Sequence, residues 1–234
     1  MFLSKSLILK SVSFICVFSL FVSAGVQAEE KHHEDPTRIV TKLGVGYSDV
    51  ASVSGSLGLD DARMINARVN EDGEWRLGGS WLFDIGILNF NFSRTDYDDG
   101  GHKNNYSVGT YVPLSYFGIE PAGWMVFPTA GYSYNDGELA QPADDGSDDY
   151  IMMRSKTHAG YIGMFGVRPF EGTQWSMIGL MGVGAGSGGY SSYWGGAGLS
   201  YKFNDKASFN MFGILSEDDF GTNNKLGGSF SYQF

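Results

Sequence analysis

The chain is 234 residues long and carries 26 acidic against 16 basic side chains, a formal net charge of −10. That acidity argues against nucleic acid as a partner, because phosphate backbones need clustered positive charge. Its single cysteine is Cys16, so disulfides, thiolate metal sites and cysteine nucleophiles are not expected in the rest of the chain.

Residues 1–28 read as a secretory signal peptide: Lys5 and Lys10 open it, Phe14 to Val22 is mostly apolar, and Val26-Gln27-Ala28 is a small-residue cleavage site. Ser11, Ser13, Ser19 and Ser23 interrupt the apolar stretch, which an uncleaved helix of about 20 apolar residues would not tolerate well. The mature chain is expected to begin at Glu29 and is long enough for one domain. Residues 29–37 are charged and without apolar period, and a flexible periplasmic leader is expected there. His32 and His33 lie in it with no third ligand nearby, so no metal site is expected.

From Arg38 onward the chain divides into segments of about ten residues of alternating hydrophobicity, separated by Gly, Asp and Asn clusters. Twelve are expected: 37–47, 50–58, 62–70, 74–83, 85–97, 104–113, 124–135, 150–167, 174–186, 189–203, 206–216 and 224–234. The second is the weakest, since Ser52 to Gly58 is small and scarcely apolar. Nothing after residue 28 is long and apolar enough for a membrane helix, so any membrane crossing is by strands. The 34 glycines, 17 Phe, 13 Tyr and 5 Trp of the chain suit that route.

Within the segments, a charge facing the bilayer midplane costs about 2–4 kcal/mol for Arg or Lys, so parity assigns charged residues to the interior. On this rule Arg38, Lys42, Arg68, Arg76, Arg154, Lys156, His158 and Lys202 line the lumen. Ile39, Leu43, Val45, Trp75, Trp81, Ala159, Tyr161, Phe165 and Val167 then face lipid. The carboxylates fall mostly in turns, loops and the leader, which predicts a basic lumen that favours anions. A second reading stays open, in which these residues pair with inward-folded loop carboxylates and the interior is filled.

Motifs for chemistry are weak. His102, beside Asp98 and Asp99 and near Ser107, is the one histidine at the height where an outer-rim catalytic group would sit, but a solvated loop explains it better. His158 with Ser155 is poorer, being mid-strand. Gly182 to Gly189 lacks the Lys and Ser/Thr of a phosphate loop and reads as a tight outer turn. The aspartates at 144–149 depart from EF-hand spacing. Lipopolysaccharide-bridging divalent ions are a hypothesis for that acidic loop. No catalytic residue, cofactor or metal is expected.

The last nine residues, Leu226 to Phe234, alternate bulky apolar with small polar side chains and end on an aromatic. Leu226, Phe230, Tyr232 and Phe234 share one face, with Gly228 breaking the run. This ending resembles the closing strand of Gram-negative outer-membrane β-barrels. The resemblance covers the mature chain through general features of the class and names no subfamily. It implies an all-β fold, a single closed antiparallel transmembrane β-barrel over 38–234, and recognition of those four residues by the barrel-assembly machinery. Outer-membrane lipid and lipopolysaccharide would be its surroundings. With both termini periplasmic the strand number is even, so twelve strands are preferred; the long inner turn 114–123 leaves ten as the alternative. Phe234 at the periplasmic rim places the acidic loop 136–149 outside. The expected function is a small porin-like channel for small anionic or polar solutes. A plugged structural or surface-interaction barrel is the alternative, and an outer-membrane lipid-modifying enzyme is a more distant third.

Overall fold

The computed structural model describes residues 31–97, 100–142 and 150–234, so the expected signal at 1–28, Asp98, Asp99 and the aspartates at 144–149 lie outside the described residues. The residues from Lys31 onward form one compact unit.

Twelve long strands run in chain order: β1 (Lys42–Ser48), β2 (Val50–Gly58), β3 (Arg63–Asn70), β4 (Trp75–Phe83), β5 (Gly86–Asp96), β6 (His102–Tyr111), β7 (Met125–Pro142), β8 (Tyr150–Pro169), β9 (Trp175–Gly186), β10 (Ser191–Lys202), β11 (Ala207–Asp218) and β13 (Lys225–Gln233). A two-residue strand, β12 (Gly221–Thr222), only tightens the last outer turn. Each long strand pairs antiparallel with its chain neighbours, and β13 pairs with β1 from Lys42↔Gln233 to Tyr47↔Gly228. The ladder therefore closes, with twelve strands rather than ten. Closure removes the free sheet edge that hydrocarbon could not hydrogen-bond.

Alternation sets the two faces. Leu43, Val45, Leu77, Trp81, Ile162, Met181, Leu215 and Leu226 are exposed on the outside, where lipid rather than water would cover them. Leu226, Phe230, Tyr232 and Phe234 all lie on that face. On the weakly apolar β2, Ser52 and Ser56 are buried on the inner face while Val53 stays exposed on the outer one. Strands with small inner residues pack against the interior contents without a strong hydrophobic signal, which is why this segment is faint in sequence.

The ribbon β7–β8 departs from expectation. Its strands have 18 and 20 residues, where a bilayer needs about 9–11 tilted residues. Residues 136–142 therefore continue as strand paired with 150–156 rather than forming loop. The outer half projects beyond the hydrocarbon, and there the outward face carries Asp136 bound to Arg154 (3.1 and 3.0 Å) and near Lys156 (3.8 Å). Beneath them the rings of Phe92, Tyr106, Tyr134 and His158 follow one another at centroid distances of 5.8, 6.0 and 5.0 Å, and these rings mark the outer interface.

Two interior fillings occupy the half of the barrel nearer Phe234. On the β5–β8 side, Ile87, Phe127 and Val167 are almost wholly buried and Phe165 packs between Tyr111 and Phe127. On the β9–β11 side the space holds the leader, residues 31–37, described below.

The membrane limit on β8 predicts different tolerances along one face. Met164→Arg, near the midplane, should lower unfolding stability in vesicles by about 2–4 kcal/mol. Lys156→Met, on the projecting ribbon, should change it by less than about 0.5 kcal/mol. Urea titration of both variants checks this.

Candidate functional site: the lumen

Inward alternation on β3 and β4 brings Arg68 and Arg76 directly opposite each other in the ladder, both lining a cavity of about 520 Å³. The Arg68 guanidinium donates to Ser52 Oγ at 3.2 Å. Among the described residues neither arginine has a carboxylate within ion-pair distance. Glu74, which lines the same cavity, is already held by Lys225 Nζ at 2.8 Å, Asn70 Nδ2 at 2.9 Å and the Asp96 amide at 3.2 Å. Like charges directly opposite on a sheet repel, and a guanidinium cannot relieve this by losing its proton. Two cationic groups therefore face the cavity ready for an anion.

Across the barrel, β8 and β10 present Tyr161 and Trp194, edge to face at 5.9 Å, to the same cavity. Their rings need glycine beneath them. A Cβ on Gly131 would sit 2.4 Å from the Tyr161 ring, and one on Gly182 would sit 2.1 Å from Trp194. Asn91, Asn105, Ser107 and Ser133 line the wall between the two sides.

The outer end narrows around an ion pair. Lys103 Nζ meets the Asp218 carboxylate, which also accepts from Tyr97 and Tyr190 hydroxyls at 3.4 Å. Lys103 lies 5.6 Å from the Tyr97 ring and 5.8 Å from the Phe220 ring, and all three aromatics are buried. Burial, reinforced by the Asp218 charge, pushes the Tyr190 hydroxyl up to about 12 and raises Tyr97 as well. Both phenols stay protonated and donate.

The end of the barrel that bears the chain terminus Phe234 is occupied by the leader, which is not the unconstrained tail expected of it. His32 Nε2 meets Ser176 Oγ at 2.9 Å and His33 Nε2 meets Ser200 Oγ at 2.8 Å. Glu34 Oε1 accepts from Ser200 Oγ at 3.1 Å and from Asn210 Nδ2 at 2.9 Å. Asp35 caps the turn by accepting from the Thr37 amide and hydroxyl, both at 2.7 Å, and Thr37 is buried. Ser176, Ser200 and Asn210 are inner-face residues near the periplasmic ends of β9, β10 and β11. A charged stretch adopts a fixed conformation here because the strand walls supply its hydrogen-bond partners. Burial first, then neighbouring positive charge, lowers both imidazoles to about 4. Arg38, Lys42 and Lys202 line the small space beside His33 and Glu34; Arg38 donates to Gln233 Oε1 at 3.0 Å and Lys202 pairs with Asp205 at 2.8 Å.

Five expected lumen residues, Arg38, Lys42, Arg68, Arg76 and Lys202, thus line interior spaces. Arg154, Lys156 and His158 do not. They share the outward face of β8 with Ile162 and Met164, while Thr157, Ala159 and Val167 are buried inward and Tyr161 lines the cavity. The parity was inverted for two reasons: the charged stretch stands above the bilayer, where an outward charge costs little, and the apolar residues opposite it fill the interior instead of meeting lipid. Lys103 and Lys225 are inward cations outside the expected lumen set, although Lys225 shares the polar face of the closing strand with Ser229, Ser231 and Gln233. Each lies near a strand end beside turn residues, where the alternation fades. His102 faces outward, 3.8 Å from Glu138, whereas Ser107 lines the cavity, so the two are on opposite faces. Gly188 and Gly189 have φ of 70° and 83°, as the tight outer turn requires.

No protein-family model and no curated protein matches the sequence. Solved structures match the fold. The translocator domain of the autotransporter NalP from Neisseria meningitidis aligns at TM-score 0.55 with 15% identity over 83% of this chain and 86% of that one. The NanC porin aligns at 0.47 with 9% identity over 83% and 98%, and an outer membrane channel from Pseudomonas putida F1 at 0.47 with 10% over 90% and 100%. The likeness to the translocator domain places the fold among outer-membrane β-barrels.

The outer constriction predicts an asymmetric mutational response. Asp218→Asn leaves Lys103 poorly solvated without its counter-ion, and should cost about 3 kcal/mol of stability. The double change Lys103→Met with Asp218→Leu should cost less than the single change, as read from urea midpoints in vesicles.

Proposed function

We propose that this chain is an outer-membrane, porin-like channel whose lumen favours small anionic or polar solutes. The observation that carries this reading is the Arg68–Arg76 pair. Lys103, Lys202 and Lys225 each sit against a carboxylate, and the two arginines project into the same cavity with none among the described residues. In a water-filled space with low-dielectric walls, such a pair raises the local concentration of anions. The reading includes export through a cleaved signal at 1–28 and assembly through the closing strand ending at Phe234. The barrel would be surrounded by outer-membrane lipid and lipopolysaccharide, with no catalytic activity. A second reading, a surface-interaction barrel with a plugged interior, is favoured by the leader seated at one end and by the Tyr97, Tyr190 and Phe220 cluster at the other.

Planar-bilayer recording separates the two. Under a KCl gradient the barrel lacking residues 31–37 should show discrete conductance with an anion-selective reversal potential. Arg68→Ala with Arg76→Ala should move that potential toward the non-selective value by more than half. A silent bilayer contradicts the channel and favours the plugged barrel.

A further inference from the structure

We propose that residues 31–37 are an acid-released plug of the periplasmic mouth, held by two neutral histidines that a fall in pH converts into charges the site cannot accommodate. The inference rests on the channel reading and adds a control to it. The geometry is the argument. Adjacent residues His32 and His33, with ring centroids 4.2 Å apart, reach two different strands, and each meets a buried serine hydroxyl. Glu34 ties the same segment to a third strand through Asn210. The leader is therefore pinned across β9, β10 and β11 by polar contacts. Such contacts hold a segment while every partner stays in the right protonation state.

The surroundings decide which state that is. Facing His32 are His33, Glu34 and Asp35 of the leader, Ser176 of β9 and Lys202 of β10. Facing His33 are Glu34 at 3.7 Å, Ser200 and Lys202 of β10, Lys42 of β1, and Arg38 just before it; Asp205, paired with Lys202, and Lys206 line the same space from the β10–β11 turn. Protonating both histidines would place two new positive charges 4.2 Å apart between Lys202, Lys42 and Arg38. Among the described residues of the leader, Glu34 and Asp35 are the carboxylates beside them, and each already accepts hydrogen bonds from other groups.

The sign follows from linkage. The seated imidazoles titrate near 4 and the released ones near the ordinary 6.5. A base whose value is lowered by seating stabilises the seated state fully above 6.5, and that contribution is lost as the pH falls from 6.5 toward 4. At about pH 5 each histidine shifts the balance toward release by on the order of tenfold. The leader would then leave the mouth, joining the arginine-lined cavity to the periplasmic side.

The test is single-channel recording of the exported full-length barrel at about pH 7.5 and about pH 5, on either side of the free histidine value. Beside it stand the His32→Gln/His33→Gln variant, which keeps hydrogen-bonding groups but cannot titrate, and the barrel lacking residues 31–37. The expected result is at least a tenfold rise in open probability on acidification for the parent chain, none for the glutamine variant, and an open channel at both pH values without the leader. Equal conductance of parent and leaderless barrels at neutral pH overturns the plug, and so does an acid response that survives in the glutamine variant. No current even from the leaderless barrel overturns the channel reading itself. A readout that needs no current is NMR titration of the two imidazoles, which should lie well below the free value; ordinary values for both would overturn the inference.

Discussion

Everything in this molecule depends on the pairing of β1 with β13. A backbone amide without a partner in hydrocarbon costs several kcal/mol, so the sheet is stable in a bilayer only if its last strand finds its first. The register from Lys42↔Gln233 to Tyr47↔Gly228 supplies that pairing. It fixes an even number of long strands, puts both ends of the wall on one side, and commits each strand to one lipid face and one interior face. The chemistry of the interior is then a consequence of which residues fall on the inner parity.

That interior is divided along its length. Apolar side chains and the leader fill the half nearer Phe234, a cavity with an arginine pair on one wall and Tyr161 and Trp194 on the other occupies the middle, and a lysine–aspartate pair among aromatics narrows the opposite end. Charge is neutralised locally at the outer constriction and left open at the centre. A purely structural filling would neutralise Arg68 and Arg76 as it neutralises Lys103 and Lys225, because the repulsion of opposed guanidiniums lowers stability and the hydrogen bond from Arg68 to Ser52 Oγ does not cancel charge. Their exposure to the cavity is the feature that a solute-binding role explains.

The wall was largely legible in the sequence and the contents were not. Period-two alternation and turn residues locate twelve strands within a few positions, and Leu226 to Phe234 reveals how the barrel closes. Alternation is legible because the bilayer imposes it. Where the bilayer ends, the rule ends: the outer half of β7–β8 meets water on its outward face, so Arg154, Lys156 and His158 could face outward at little cost. The residues opposite them, Tyr161, Phe165 and Val167, were read as lipid-facing although they fill the interior. The leader was illegible for a different reason. A short charged segment without period has no intrinsic structure, and its conformation is set by Ser176, Ser200 and Asn210, more than 140 residues away along the chain. Arg68 and Arg76 were legible as inward cations, but their direct opposition depends on the β3–β4 register.

The central claim, that the unneutralised arginine pair makes the lumen select by charge, is tested most directly by solute flux. Vesicles carrying the barrel without its leader would be loaded with a small organic anion or with a cation of matched size, and efflux of each followed. The account predicts that the anion leaves several-fold faster and that this ratio collapses when both arginines become alanine. Equal efflux of the two solutes, or faster efflux of the cation, would contradict it.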